Sequence, residues 1–404
     1  MHIATKDRGE NMARADGLTG FNKFTLLLIP FVWLYEASAV GPTLGEMSKA
    51  FPDASVLQIQ LIMTLPFLSS IVFSVISGRL ARTWDKKNLV LLGLLIYGVM
   101  GMSPALAHNV NQILILRLLT GVGVGLVLPL PNAIITEHFS EEKRERMLGL
   151  ATAVCNIANI LASVVIGFVL MLGWRYPYYS FSLVLVIFVV ALLGLPKSPP
   201  QSYAQSSVAK AQLPMAVWTL ALFMALNFMF FGFVVFNTAL FMTSEHLGAP
   251  WMIGITIALP ATGSMLAGTV FPELTRLAKG YFVTLSLIVF ACGFLLLYGA
   301  HSFVATLPAT LLVGLGSGGL VPYILNLTAD TVDAGQKDVA FGIVTGCIHF
   351  GYLVAPFAQD AISRVTNHSS YRFLFLVSAI ITVVTAIIFS FSGGQARNLA
   401  NTRL

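Results

Sequence analysis

The feature that most constrains this chain is a pattern between Arg117 and Asn159 that returns 193 residues later without a gap. Gly121, Gly123 and Gly125 become Gly314, Gly316 and Gly318. Pro129 becomes Pro322, Glu137 becomes Asp330, Gly149 becomes Gly342 and Thr152 becomes Thr345. Composition alone does not produce one shared offset over some thirty residues. The chain therefore reads as two copies of one unit joined in tandem.

What the unit is follows from polarity. Of the 404 residues, 57% are hydrophobic and 10% are charged, against about 25% charged in a soluble domain. So little charge cannot cover a water-facing surface, and the chain must face lipid. The net charge of +6 could point to nucleic acid, but the basic residues sit in short loops between apolar runs, which excludes a nucleic-acid-binding face. The three cysteines, Cys155, Cys292 and Cys347, lie inside apolar segments. Neither a disulfide framework nor a metal-ligand spacing is present, no cofactor is expected, and no cleavable leader is legible at the N-terminus.

Twelve apolar segments are long enough to cross a bilayer. The first six are about 24–46, 57–78, 89–107, 111–134, 147–172 and 176–195. The second six are about 214–242, 251–272, 281–299, 303–327, 339–360 and 373–392. The fold class is thus an all-α integral membrane protein of 12 transmembrane helices in two pseudo-symmetric six-helix bundles. Its expected parts are an N-terminal tail (1–23), bundles at 24–195 and 214–392, a Ser-, Gln-, Pro- and Ala-rich linker (196–213) and a C-terminal tail (393–404). With the N-terminus placed in the cytoplasm, eighteen of the 23 Lys and Arg fall on cytoplasmic segments. Lys49, Arg175, Arg364 and Arg372 fall outside, and Arg117 lies within a span. The bias predicts a multi-pass protein of the plasma or inner membrane with both termini cytoplasmic. Small residues in segments 4 and 10 predict close helix approach, and Pro129 and Pro322 predict bends.

Several motifs together carry a resemblance. The loop between segments 2 and 3 reads Gly78-Arg-Leu-Ala-Arg-Thr-Trp-Asp-Lys-Lys87. It is similar to the signature loop of the major facilitator superfamily, Gly-x-Leu-Ala-Asp-Arg-x-Gly-Arg-Lys, at Gly78, Leu80, Ala81, Lys86 and Lys87. Arg82 stands at the acidic position of that signature and Asp85 at its second glycine. Arg117-Leu-Leu-Thr-Gly121 resembles the Arg-x-x-Gln-Gly motif of the fourth helix, with Thr120 at the glutamine. Trp174-Arg175-Tyr176 and Tyr371-Arg372-Phe373 resemble the paired aromatic-Arg-aromatic starts of helices 6 and 12. The resemblance implies a secondary transporter, not an enzyme, similar to the twelve-helix drug–proton antiporters. The Gly-Pro motif of that subfamily is absent from Ala151–Asn159, and the sugar-porter signatures are absent after segments 6 and 12. With the acid missing at Arg82, Asp85 can replace it by capping the third helix, and basic residues that only fix topology are the alternative reading. The gating-loop candidates are therefore Gly78, Arg82, Asp85, Lys86 and Lys87.

A charge at the bilayer centre costs about 2.5–3.5 kcal/mol on insertion scales, so a charged residue there is a functional candidate. Glu36 and Arg117 lie at matching depth, roughly 18 and 21 Å from the inner surface at 1.5 Å per residue. The resemblance makes segments 1 and 4 neighbours, so the two charges would stabilise each other. A fixed ion pair holding the bundle is the alternative to a proton or substrate site. His349 answers Asn156 in the repeat; it suits a proton relay, though packing between helices is the commoner role of such a residue. Glu137 and Asp330 are expected as gate or loop partners. The resemblance implies a cavity lined mainly by segments 1, 4, 7 and 10, which offer Tyr35, Asn132, Asn227, Asn237, Tyr323 and Asn326 besides Asn156.

No Gly-x-x-x-x-Gly-Lys-Ser/Thr loop for ATP is present, which leaves an ion or solute gradient as the energy source. The first expectation is proton-coupled efflux, by alternating access, of a small amphipathic or moderately polar solute. Proton-coupled uptake of an organic nutrient or anion is the second, and a receptor or scaffold that kept the fold is the third. Expected partners are a small-molecule substrate, protons and membrane lipid, with the chain acting as a monomer.

Overall fold

The computed structural model describes residues 18–139, 141–198, 213–333 and 336–401. Side chains at some helix positions, Asn156 and 391–401 among them, lie outside that description, as does most of the expected linker. Every one of the twelve expected segments is helical, and no strand occurs among the described residues. We number them α1 to α12. α1 is in three pieces, Gly20–Leu28, Phe31–Val40 and Leu44–Ala50; α2 is Val56–Leu80 and α3 is Lys86–Met102. α4 is Val110–Val127 and Leu130–His138, α5 is Glu141–Val169, and α6 is Tyr176–Tyr179 and Ser182–Gly194. α7 is Met215–Ser244, α8 is Pro250–Thr269, and α9 is Phe282–Tyr298. α10 is Phe303–Gly318 and Leu320–Thr331, α11 is Lys337–Thr366, and α12 is Tyr371–Asn401. Nine stretches of these helices are long and apolar enough to span a bilayer among the described residues.

Proline sits at the breaks of α1 and α4. α1, expected to be continuous, is interrupted at Ile29–Pro30 and again by a 3-10 turn holding Pro42, because proline lacks the amide proton and crowds the preceding turn. α4 breaks at Leu128–Pro129. α10 breaks at Gly319, which leaves Pro322 in the first turn of the next piece, where no donor is needed. The charged run after α4, expected as a loop, instead forms the first turns of α5. A short helix, Phe271–Ala278, follows α8, largely in what was expected to be the loop beyond residue 272.

The repeat is visible in the packing. A Cβ on Gly121 would meet the Pro66 carbonyl of α2 at 2.3 Å, and one on Gly123 would meet the Tyr97 amide of α3 at 2.4 Å. In the second copy, a Cβ on Gly314 would meet the Pro260 carbonyl of α8 at 2.1 Å, and one on Gly316 the Phe290 amide of α9 at 2.5 Å. Each glycine row thus lets α4 or α10 approach two neighbours at backbone distance. The ends repeat as well: Asn109 caps α4 by accepting the Gln112 amide at 2.9 Å, and Ser302 caps α10 by accepting that of Ala305 at 3.4 Å. α6 shows the lipid side. Val186, Val189 and Leu193 are exposed while Val184, Ile187 and Ala191 are buried. Both faces are apolar, so the outward one suits hydrocarbon.

The described chain divides into two compact units. The first draws on Met1–Val40, Leu61–Ala162 and Leu172–Val208; the second draws on Gly41–Gln60, Ser163–Met171 and Ala209–Leu404. In the second unit Gly45 lies against Ala239 and Thr243, and Gly167 against Gly254. There the Gln60 amide nitrogen donates to Asn237 Oδ1 at 2.6 Å and to Gln359 Oε1 at 2.7 Å.

Candidate functional site

In the first unit the middle piece of α1 and the first piece of α4 bring the two membrane charges together. Arg117 Nη2 donates to Glu36 Oε1 in an ion pair. Arg117 is 0% exposed and Glu36 3%. The Nε of Arg117 donates to the Ile62 carbonyl at 2.8 Å, and its guanidinium lies 6.0 Å from the Phe181 ring centre. Arg117 Nη1 has no hydrogen-bond partner among the described residues, and the Tyr97 hydroxyl lies beside the Glu36 carboxylate. Buried charges without full pairing are costly, so the site holds spare donor capacity.

Tyr97 completes this site, and nothing in the sequence singled it out. It is fully buried on α3, and its hydroxyl donates to the Val32 carbonyl at 3.1 Å beside the Glu36 carboxylate. Its ring meets Phe181 edge-on at 5.5 Å. A tyrosine among many apolar aromatics gives no pattern to read. Thr120, at the glutamine position of the Arg117 motif, donates its hydroxyl to the Leu116 carbonyl of its own helix.

The signature loop forms a second polar site in the same unit. Asp85 caps α3 by accepting the Lys87 amide proton at 2.8 Å. Lys86, 3% exposed, reaches Glu137 Oε1 of α4 at 2.6 Å. The partner of the loop's buried cation is therefore Glu137. Arg82 and Gly78 are exposed. Ser198, just past α6, donates its hydroxyl to Glu137 Oε2.

The other expected site residues are dispersed. Tyr35 is buried, and its hydroxyl donates to Ser180 of α6 at 2.5 Å. Asn227 of α7 donates to Ser317 of α10 at 2.9 Å within the second unit. Asn237 is fully buried, and its amide also donates to Gln359 at 2.7 Å. Tyr323 packs on Phe282 with ring centres 5.4 Å apart. Asn132 and Asn326 are exposed, and His349 is half-buried on α11 in the second unit.

The paired arginines do equivalent work. Arg175 donates to the carbonyls of Ala105 and Ala107 at 3.1 and 3.0 Å. Arg372 donates to those of Tyr298 and Ala300 at 2.6 and 2.7 Å. These acceptors are related by the same 193-residue offset and lie at the ends of α3 and α9, whose last carbonyls lack helical partners.

A family model for the Major Facilitator Superfamily matches residues 26–356, with a second match over 222–400. The chain belongs to this superfamily. It is 25% identical over 181 residues to the quinolone resistance protein NorA of Staphylococcus aureus (strain MRSA252), covering 44% of this chain and 43% of that one. It is 24% identical over 190 residues to the multidrug transporter protein MdtP of Bacillus subtilis (strain 168), covering 45% and 35%. The chain thus spans less than half the length of these curated relatives. Among solved structures, a bacterial homologue of the human lysosomal transporter Spinster shares the fold with a TM-score of 0.75 at 14% identity, over 94% of this chain and 98% of that one. A mutant of the nucleoside transporter NupG does so with a TM-score of 0.76 at 15% identity, over 91% and 99%. This member of the superfamily is a multi-pass membrane protein.

Proposed function

We propose that this protein is a transporter that exports a small amphipathic or moderately polar solute by alternating access, driven by protons that enter through Glu36. The observation that carries the reading is the buried Glu36–Arg117 pair, a titratable carboxylate held against a fixed cation inside the first unit. A proton arriving at the Glu36 carboxylate cancels its charge and breaks the ion pair. Arg117 does not swing away, because Ile62 still accepts from its Nε. Loss of the proton on the other side restores the pair. The carboxylate thus exchanges a proton as its surroundings change, while the arginine fixes where the exchange happens. A purely structural pair is a poor alternative, since well-packed apolar residues would serve the bundle at least as well.

The outward direction is supported by the partial likeness to NorA and MdtP, whose names denote drug resistance and multidrug transport. Few charges are available to bind a highly charged solute. We place the protein in the cell membrane as a monomer, with both termini cytoplasmic. Inverted vesicles given a panel of amphipathic organic cations, neutral dyes and carboxylates in the outer medium test the reading under an imposed pH step. Proton-driven accumulation of at least one solute in inverted vesicles is expected. Accumulation only in right-side-out vesicles would replace export by uptake.

A further inference from the structure

The chain leaving α6 is fastened at every turn. The Gly194 carbonyl, at the end of α6, accepts from the Asn22 side chain at 2.7 Å. Leu195 and Ser198 are each 2% exposed. The Ser198 amide donates to Asp85 Oδ1 at 3.2 Å, and its carbonyl accepts the Lys86 amide proton at 3.2 Å. Its hydroxyl donates to Glu137 Oε2. One serine therefore touches the cap of α3, the backbone of the signature loop and the end of α4.

The ion pair beside it is close and buried: Lys86 Nζ lies 2.6 Å from Glu137 Oε1, and neither atom has a second partner among the described residues. Among the described residues, the hydrogen bond that the Glu137 carboxylate receives comes from Ser198. A buried carboxylate depends on such donors. We propose that Ser198 is a positioning residue, a latch that holds the linker start on the Lys86–Glu137 pair and opens together with it. Its place in a transport cycle rests on the transporter reading; the latch itself does not.

Trypsin tests the latch on the full chain in detergent or lipid. The Lys197–Ser198 bond can enter a protease only when Ser198 leaves its three partners, so its cleavage rate reports the population of the open form. Ser198→Ala should raise that rate about tenfold or more, the scale of a hydrogen bond to a charged group. Cleavage after the exposed Arg276 in the second unit should be unchanged. Ser198→Thr keeps the hydroxyl and should return the rate towards that of the unchanged protein. Glu137→Gln keeps an acceptor but removes the ion pair, and should also speed cleavage several-fold. Equal rates for Ser198→Ala and the unchanged protein would overturn the latch, and so would equal acceleration at both bonds. An unaltered rate in Glu137→Gln would sever the link between latch and pair. Failure of the chain to move any solute would sink the transporter reading and leave these rates as they are.

Discussion

Arg117 is gripped by three kinds of partner: the Glu36 carboxylate, the Ile62 carbonyl and the Phe181 ring. Removing the guanidinium and removing the carboxylate are therefore unequal changes. Glu36→Gln keeps the shape and a hydrogen-bond acceptor but loses the titration and the negative charge opposite Arg117. Proton-driven accumulation in proteoliposomes should vanish, while downhill exchange persists; full gradient-driven transport would place the proton elsewhere, with His349 the next residue to test. Arg117→Ala strands a buried carboxylate, which costs about 3–5 kcal/mol, and should lower both the melting temperature and the folded yield. These two residues were legible because membrane charges are rare. Tyr97 and Ser198 were not, because a neutral hydroxyl in a chain rich in tyrosine and serine stands out only once its partners are known. At the membrane edge the Arg372 hydrogen bond holds the Glu245 carboxyl below its ordinary value of 4.5. A depressed carboxylate stabilises the fold fully above that value and loses its contribution as pH falls through the lowered one. Glu245→Gln should thus flatten only the acid limb of thermal stability below about pH 4.5, and weakly, because the pair is partly solvated. An unchanged acid limb would show that the pair adds nothing.

At the scale of elements, the glycine rows decide how closely helices meet. A Cβ on Gly123 would sit 2.4 Å from the Tyr97 amide and 2.7 Å from the Gly93 carbonyl, so a larger side chain must move backbone. Gly123→Leu should lower stability by about 1–3 kcal/mol or more, as overpacking does, and Gly316→Leu should match it in the second copy. Gly342 and Gly346 have nothing within 4 Å of an added Cβ. Their alanine variants are the control, and thermal melts in detergent should leave them unchanged. A Gly123→Leu protein as stable as its parent would remove the packing account of the repeat. Gly342 also shows a limit of the sequence: it belongs to the repeated pattern, but no close approach requires it. Helix existence was readable from long apolar runs. The interruption of α1 was not, because it depends on which side of Pro30 neighbouring helices support. The charged start of α5 was read as a loop because charge and helix are compatible outside the hydrocarbon.

At the scale of the whole molecule, the open matter is which way the bundle faces. Eighteen of 23 Lys and Arg on one side predict cytoplasmic termini, and the structure sharpens that argument. Each of the four cations expected outside has local work. Lys49 pairs with Glu46 at 2.8 Å and Arg364 with Asp360 at 2.9 Å. Arg175 and Arg372 close the ends of α3 and α9 on carbonyls that match in the repeat. Their presence is explained by helix ends and ion pairs, so they do not argue for the opposite orientation. On the other side, Arg82, Lys143 and Lys197 are exposed, as orientation signals should be. A reporter active only in the cytoplasm should therefore be active when fused after Leu404, and equally when inserted between Gln201 and Ala211. Fusion after Arg175 should leave it silent. An active Arg175 fusion with a silent one in the linker would invert the protein in the membrane.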